Sequence, residues 1–287
     1  MLWLVFALTA ALADGIKSVI HRAVMKTESV FSYALIENLL TALAFIPFLY
    51  FDFLVPTDPA AWALLMLSSA LWVAVALTGF AAYKHTPVTL KEPISQSRII
   101  LVFLLSVALL KEAMSTEKII GTLLIFAGLI AITTHKRKIF GKLSDRGVQL
   151  TILSAFLASV VAIIDKIALG YFTPGTYGFF VYLIPGLILA TASRGRTNET
   201  KKLIKSKGKY VLAAILLGAT AYYSILKAYT LADASTVFPI IRLGSFVAVI
   251  GGFAAFREER TEVLKKVVSA AVIVIGVLLL SGHHSFF

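Results

Sequence analysis

Three stretches of this chain, 99–110, 119–134 and 267–281, carry no charged residue on any face of a helix. A helix packed in a water-soluble domain keeps a polar face, so the solvent of these stretches is lipid. The rest of the chain follows suit, with 59% hydrophobic residues and a mean hydropathy of +0.90. Pro56, Pro59, Pro87, Pro174 and the Gly/Arg/Asn run after Ser193 mark turns between apolar segments. Ten membrane-spanning helices are predicted, over about 2–24, 30–51, 60–83, 88–110, 117–135, 148–169, 176–193, 210–231, 235–256 and 262–282. Each is close to the ~20 residues that cross ~30 Å of hydrocarbon. The first apolar run has no basic segment before it and no cleavage signal, so it is expected to be a retained helix.

The chain also repeats itself. Tyr83 and Tyr229, Pro93 and Pro239, Lys111 and Arg257, and Glu112 and Glu258 pair at an offset of 146 residues. A second register, offset 144, pairs Tyr33 with Tyr177 and Arg22 with Lys166. The predicted division is a first five-helix repeat over 1–138, a basic linker over 139–146, and a second repeat over 147–287. Five spans per repeat is an odd number, so the second copy must cross the membrane in the opposite sense. Inverted repeats of this kind are the usual construction of secondary transporters, with the substrate held where the halves meet. The expected fold is therefore an all-α polytopic membrane protein built as two inverted halves.

The net charge of +12 would suit nucleic acid if it lay on one face. Instead, nineteen Lys and Arg residues fall in the odd-numbered loops, while the even-numbered loops hold Lys111 and Lys118 near a helix end. The positive-inside rule accounts for that asymmetry, places the odd loops in the cytoplasm of a cell-membrane protein, and removes the reason to expect nucleic acid.

E-P-I at Glu92–Ile94, K-E at Lys111–Glu112 and the run I-I-G-T-L-L-I-F-A-G-L-I-A-I from Ile119 resemble the EamA-type domain of the drug/metabolite transporter superfamily. F-P-I at Phe238–Ile240, R-E at Arg257–Glu258 and a last helix containing Gly276 resemble it a second time. The resemblance implies a ten-helix permease that exports amino acids and other metabolites, drugs or cations. Members often carry an Arg in the second helix, where this chain has Ile36-Glu37-Asn38.

Ionisable residues inside a span cost ~2.5–3.5 kcal/mol or more, so they mark cavities or partners. Arg242 lies one turn beyond Pro239, and its repeat partner Gln96 lies one turn beyond Pro93. The prolines are expected to break the two helices and bring Arg242 and Gln96 together across the pseudo-twofold axis, where a guanidinium suits a carboxylate or phosphate. The competing reading makes Arg242 a structural partner of Glu92, Glu37 or Asp14. Glu92 and Gln96 form one stripe of the fourth span, and Lys91, Ser95 and Arg98 another; one of the two is expected to pack away from the cavity. Glu92 is read either as a site for a cation or proton or as a carboxylate near the interface. Asp14, Lys17 and His21 share a face of the first span, and with Glu37 they are candidates for gating or proton coupling. Tyr222, Tyr83 and Tyr229 are candidate walls of the substrate site, although the last two lie near helix ends, where an interfacial belt competes. Asp165 and Lys166 are expected to reach the interface. Glu112 and Glu258 are expected as caps or salt bridges, and Gly121, Gly128, Gly251 and Gly252 as points of close helix packing.

No nucleotide-binding, zinc-protease or serine-hydrolase motif is present in the sequence. The sequence thus implies neither enzyme nor cofactor nor metal site, and its partners are a small-molecule substrate and the bilayer, with the chain as monomer or homodimer. Three further readings stay open: an exporter of cationic drugs or quaternary amines, a flippase for a lipid-linked head group, and a non-transporting receptor or scaffold.

Overall fold

Residues 2–86, 88–133, 145–192, 197–256 and 263–282 are described by a computed structural model. Among them lie twelve helices: α1 Leu2–Met25, α2 Val30–Asp52, α3 Pro59–His85, α4 Val88–Ser95, α5 Ser97–Leu110, α6 Thr116–Thr133, α7 Arg146–Ala168, α8 Pro174–Ala192, α9 Thr197–Leu231, α10 Ala234–Ile241, α11 Gly244–Phe256 and α12 Val263–Gly282. They make ten spans, because α4 with α5 and α10 with α11 are the two halves of single crossings. The predicted basic linker lies outside the described residues as far as 144, and so do Pro87, Arg257 and Glu258.

Helix packing obeys the twofold relation read from the repeat. α1 packs on α9 as α7 packs on α3, and α1 meets α10 and α11 as α7 meets α4 and α5. α2 against α8 and α6 against α12 join equivalent helices across the axis. The symmetry extends to single hydrogen bonds. Arg22, ending α1, donates to the carbonyl of Tyr83 at the end of α3, and its repeat mate Lys166 donates to the carbonyl of Tyr229 near the end of α9. Each basic side chain thereby satisfies carbonyls that have no partner within their own helix.

Both broken spans break three residues later than their prolines. Pro239 lies inside α10, and the helix gives way at Arg242 and Leu243, where Leu243 N–H bonds Ile240 O at 3.0 Å and Ser245 N–H bonds Arg242 O at 3.0 Å. In the first half the break is at Gln96, with Ile99 N–H on Gln96 O at 2.9 Å. These tighter i to i−3 bonds interrupt the α-helical pattern just beyond each proline, which is the sixth residue of its eight-residue helix. Gly244 sits at the second break because α1 crosses there. A Cβ on Gly244 would lie 3.2 Å from Gly15 N and against the Ala11 carbonyl. Gly121 faces Gly276 in the same way across α6 and α12, Gly128 meets Ile273 and the Ser269 carbonyl, and Gly251 meets Val19.

Two differences from the predicted spans have clear causes. α9 begins thirteen residues before the predicted start at Tyr210. Its lysine-rich first turns stay helical because Leu203 is buried against Val24, Met25 and Tyr33, while Glu199 accepts from Ser32 at 3.1 Å and Ser206 donates to Glu28 at 3.1 Å. Hydropathy falls in this extension, so the sequence reading stopped at the end of the apolar run. Glu112 acts as a cap, but across the molecule. Its carboxylate accepts from Ala234 N–H at 2.7 Å and Ser235 N–H at 2.9 Å, holding the first turn of α10. Lys118, pointing from α6, pairs with Asp233 just before that turn.

Candidate functional site

A cavity of about 220 Å³ lies between the two halves, walled by α1, α2, α3, α4 and α5 on one side and by α7, α8, α9, α10 and Arg242 on the other. Its charged lining falls into three groups. At one, Arg242 Nη2 approaches Glu92 Oε2 at 3.6 Å and donates to Ser245 Oγ at 3.0 Å, and Ser245 donates to the same Glu92 oxygen at 2.9 Å. Tyr83 OH donates to the other oxygen, Glu92 Oε1, at 3.2 Å. The carboxylate is thus held by α3 and by the α10–α11 break at once. Lys91 lies over the Tyr83 ring at 3.6 Å. Arg98 reaches the Ala158 carbonyl of α7 at 3.4 Å and lies 5.3 Å over the ring of Phe238. Nε of Arg98 and Nε of Arg242 are both buried without a hydrogen-bond partner.

The second group belongs to α1 and α2. Lys17 pairs with Asp14 at 3.4 Å, and His21 Nε2 donates to Glu37 Oε1 at 3.0 Å. The imidazole is packed edge-on by Tyr33 at 5.5 Å and Phe80 at 5.0 Å, which fixes its direction. The third group centres on Asp165 of α7. Its Oδ1 accepts from Ser68 at 2.9 Å and Tyr177 at 2.6 Å, and its Oδ2 from Tyr222 at 2.8 Å. Trp72 and Tyr182 stand edge-on to Tyr222 at 5.8 and 5.4 Å.

Of the residues singled out in the sequence, Arg242, Glu92, Tyr83, Tyr222, Tyr229, Asp14, Lys17 and Glu37 line this cavity together. Gln96 does not. It is fully buried at the break of the fourth span, and neither atom of its amide finds a partner, so it does not face Arg242 across the cavity. The reason is angular. At ~100° per residue, Lys91, Glu92, Ser95 and Arg98 fall within about a third of the helix circumference, and Gln96 falls outside it. The two stripes therefore divide differently from the expectation. Lys91, Ser95 and Arg98 line the cavity with Glu92, and Gln96 alone turns away. Pro239 is buried in α10 away from the lining. The side chain of Pro93 is outside the described residues.

Asp165 is the largest correction. Expected at the interface, it is 2% exposed and solvated by three hydroxyls instead of water. A signal for it was present in the repeat, since the offset that pairs Tyr33 with Tyr177 also pairs His21 with Asp165. Lys166 turns its ammonium to the carbonyls of Tyr229 and Ala232. Tyr83 and Tyr229, candidates for an interfacial belt, are buried at 6% and 1% exposure. Tyr223 and Lys227 line no part of the cavity. Tyr223 stacks on Phe48 at 4.1 Å, and Lys227 pairs with Asp52 at 3.2 Å, each contact joining α9 to α2.

Residues 1–134 and 145–282 each match the model of the EamA-like transporter family. No curated protein matches the chain. A protein of known crystal structure is similar over 98% of this chain and 96% of its own, with a TM-score of 0.75 at 15% sequence identity, a likeness of fold alone.

Proposed function

The chain belongs to the EamA-like transporter family of the drug/metabolite transporter superfamily, and on that premise we propose that it exports small amphoteric metabolites, amino acids foremost, by alternating access around the central cavity. The observation that carries the reading is the make-up of that cavity. It is smaller than the ~300–1,000 Å³ of pockets that bury drug-sized ligands, and it offers opposite charges to one small solute. Arg242 is paired with Glu92, Arg98 has no carboxylate within ion-pair distance among the described residues, and each keeps a buried N–H without a partner. A solute carboxylate supplies the missing charge and acceptors by bidentate hydrogen bonding. Tyr83, Tyr222 and Tyr229 wall the site with aromatic surface that accommodates an apolar or flat side chain. Asp14, Lys17 and Glu37, paired within the first half, serve as gating groups that re-pair as the halves move. The charge asymmetry of the loops supports a cytoplasmic position for the lysine-rich start of α9.

A thermal-shift panel on the purified protein tests the substrate class. Amino acids, phosphorylated metabolites and quaternary amines are each added to the native chain and to Arg98→Gln. A ligand at ~100 times its Kd stabilises by about 2.7 kcal/mol. The expected result is a shift with amino acids that is lost in Arg98→Gln. A shift with quaternary amines alone, equal in both proteins, would favour cationic-drug export.

A further inference from the structure

Every cavity carboxylate but one has a cation beside it. Asp14 has Lys17, Glu37 has His21 and Glu92 has Arg242. Among the described residues, no Lys, Arg or His nitrogen lies within ion-pair distance of Asp165. An ionised carboxylate inside a membrane protein with no counter-ion is costly, and such groups in transporters mark sites where a mobile cation is taken up. The hydroxyls around Asp165 divide into a back and a front. Ser68 and Tyr177 hold Oδ1 from behind and take no part in the cavity lining, whereas Tyr222, on Oδ2, is itself a wall of the cavity.

We propose that Asp165 is a proton-binding site, and that its occupancy sets whether the Tyr222 hydroxyl is held by Asp165 or offered to the cavity. A proton arriving from cavity water bonds to Oδ2, the oxygen with one donor. The Tyr222 O–H···Oδ2 hydrogen bond is the contact that gives way, and no covalent bond breaks. Oδ1 keeps both of its donors, so the carboxyl stays in place while Tyr222 turns, and the ring presses on Trp72 and Tyr182, which stand edge-on to it. Ser68, Tyr177 and Tyr222 touch Asp165 directly, and the other charged or titratable groups of the cavity are Arg98 from α5, Lys91 and the engaged Glu92 from α4, Arg242 from the α10–α11 break, Asp14, Lys17 and His21 from α1, Glu37 from α2, Tyr83 from α3, Tyr182 from α8 and Tyr229 from α9. The adjacent Lys166 points to the Tyr229 and Ala232 carbonyls. The inference does not depend on which solute crosses, because it concerns a group whose titration is read without one.

Trp72 supplies the readout. The chain has three tryptophans, and replacing Trp3 and Trp62 with Phe leaves the one that touches Tyr222. The expected result is a single fluorescence transition as the pH is varied in detergent. It disappears in Asp165→Asn and persists in His21→Gln. In Tyr222→Phe, which removes one hydrogen bond to the carboxylate, the midpoint moves by about one pH unit. If Asp165→Asn does not fold, the Tyr222→Phe midpoint decides, and an unmoved midpoint overturns the proposal. A transition that survives Asp165→Asn, one lost in His21→Gln, or no transition in the native sequence would equally overturn it. Any of these would leave the transport reading standing, since no solute is present in the measurement.

Discussion

Glu92→Ala is expected to lower the stability of the purified protein by about 3–5 kcal/mol, the cost of leaving a buried ion without its partner. The side chains of Glu92 and Arg242 are 4% and 9% exposed, so water cannot replace the missing charge. Arg98 and Lys91 line the same cavity, and removing Glu92 leaves three neighbouring cations facing one another. Ser245 and Tyr83 lose their acceptor as well. Removing both charges, as in Glu92→Gln with Arg242→Met, is expected to recover most of the loss, because an uncharged pair of similar volume carries no ion-desolvation cost. Chemical unfolding in detergent measures both variants. Single and double mutants of equal stability would show that the Arg242–Glu92 contact contributes nothing to the fold.

A crosslink between Phe48→Cys and Tyr223→Cys is expected to reduce transport by about tenfold or more, and reduction of the linker to restore it. The chain contains no cysteine, so the two introduced thiols are the sole sites of a short reducible bifunctional reagent. Phe48 lies on α2 in the first half and Tyr223 on α9 in the second, with their rings stacked at an interplanar angle of 16°. The Asp52–Lys227 pair joins the same two helices. Alternating access requires the halves to part at one end and then the other, so these contacts must open in each cycle. Undiminished transport in the crosslinked protein would place the moving surface elsewhere.

The sequence disclosed the architecture and most of the charged residues of the cavity, and the reasons it stopped short are specific. Charge-free runs are visible because lipid admits no polar face, and the pairing of Tyr83 with Tyr229 or Arg22 with Lys166 is visible because both halves fold alike. The hydrogen bonds from Arg22 and Lys166 to those tyrosine carbonyls, however, join different helices, and no spacing reports them. Gln96 was expected beside Arg242 because the repeat equates them. The halves are related but not identical, and the break in the fourth span falls on Gln96 itself, turning its amide away. Asp165 was assigned to the interface from its place near a helix end. Three hydroxyls from α3, α8 and α9 reverse that, and each comes from a different helix.

The account rests on the central cavity as the place where solute crosses. The most direct test is counterflow into proteoliposomes, in which trapped unlabelled amino acid drives uptake of the same labelled amino acid. The native protein is expected to show uptake, and Arg98→Gln, folded and incorporated to the same level, to lose it. Uptake undiminished in Arg98→Gln, or absent with every amino acid that shifts the melting temperature, would contradict a carboxylate-binding transport site between the two halves.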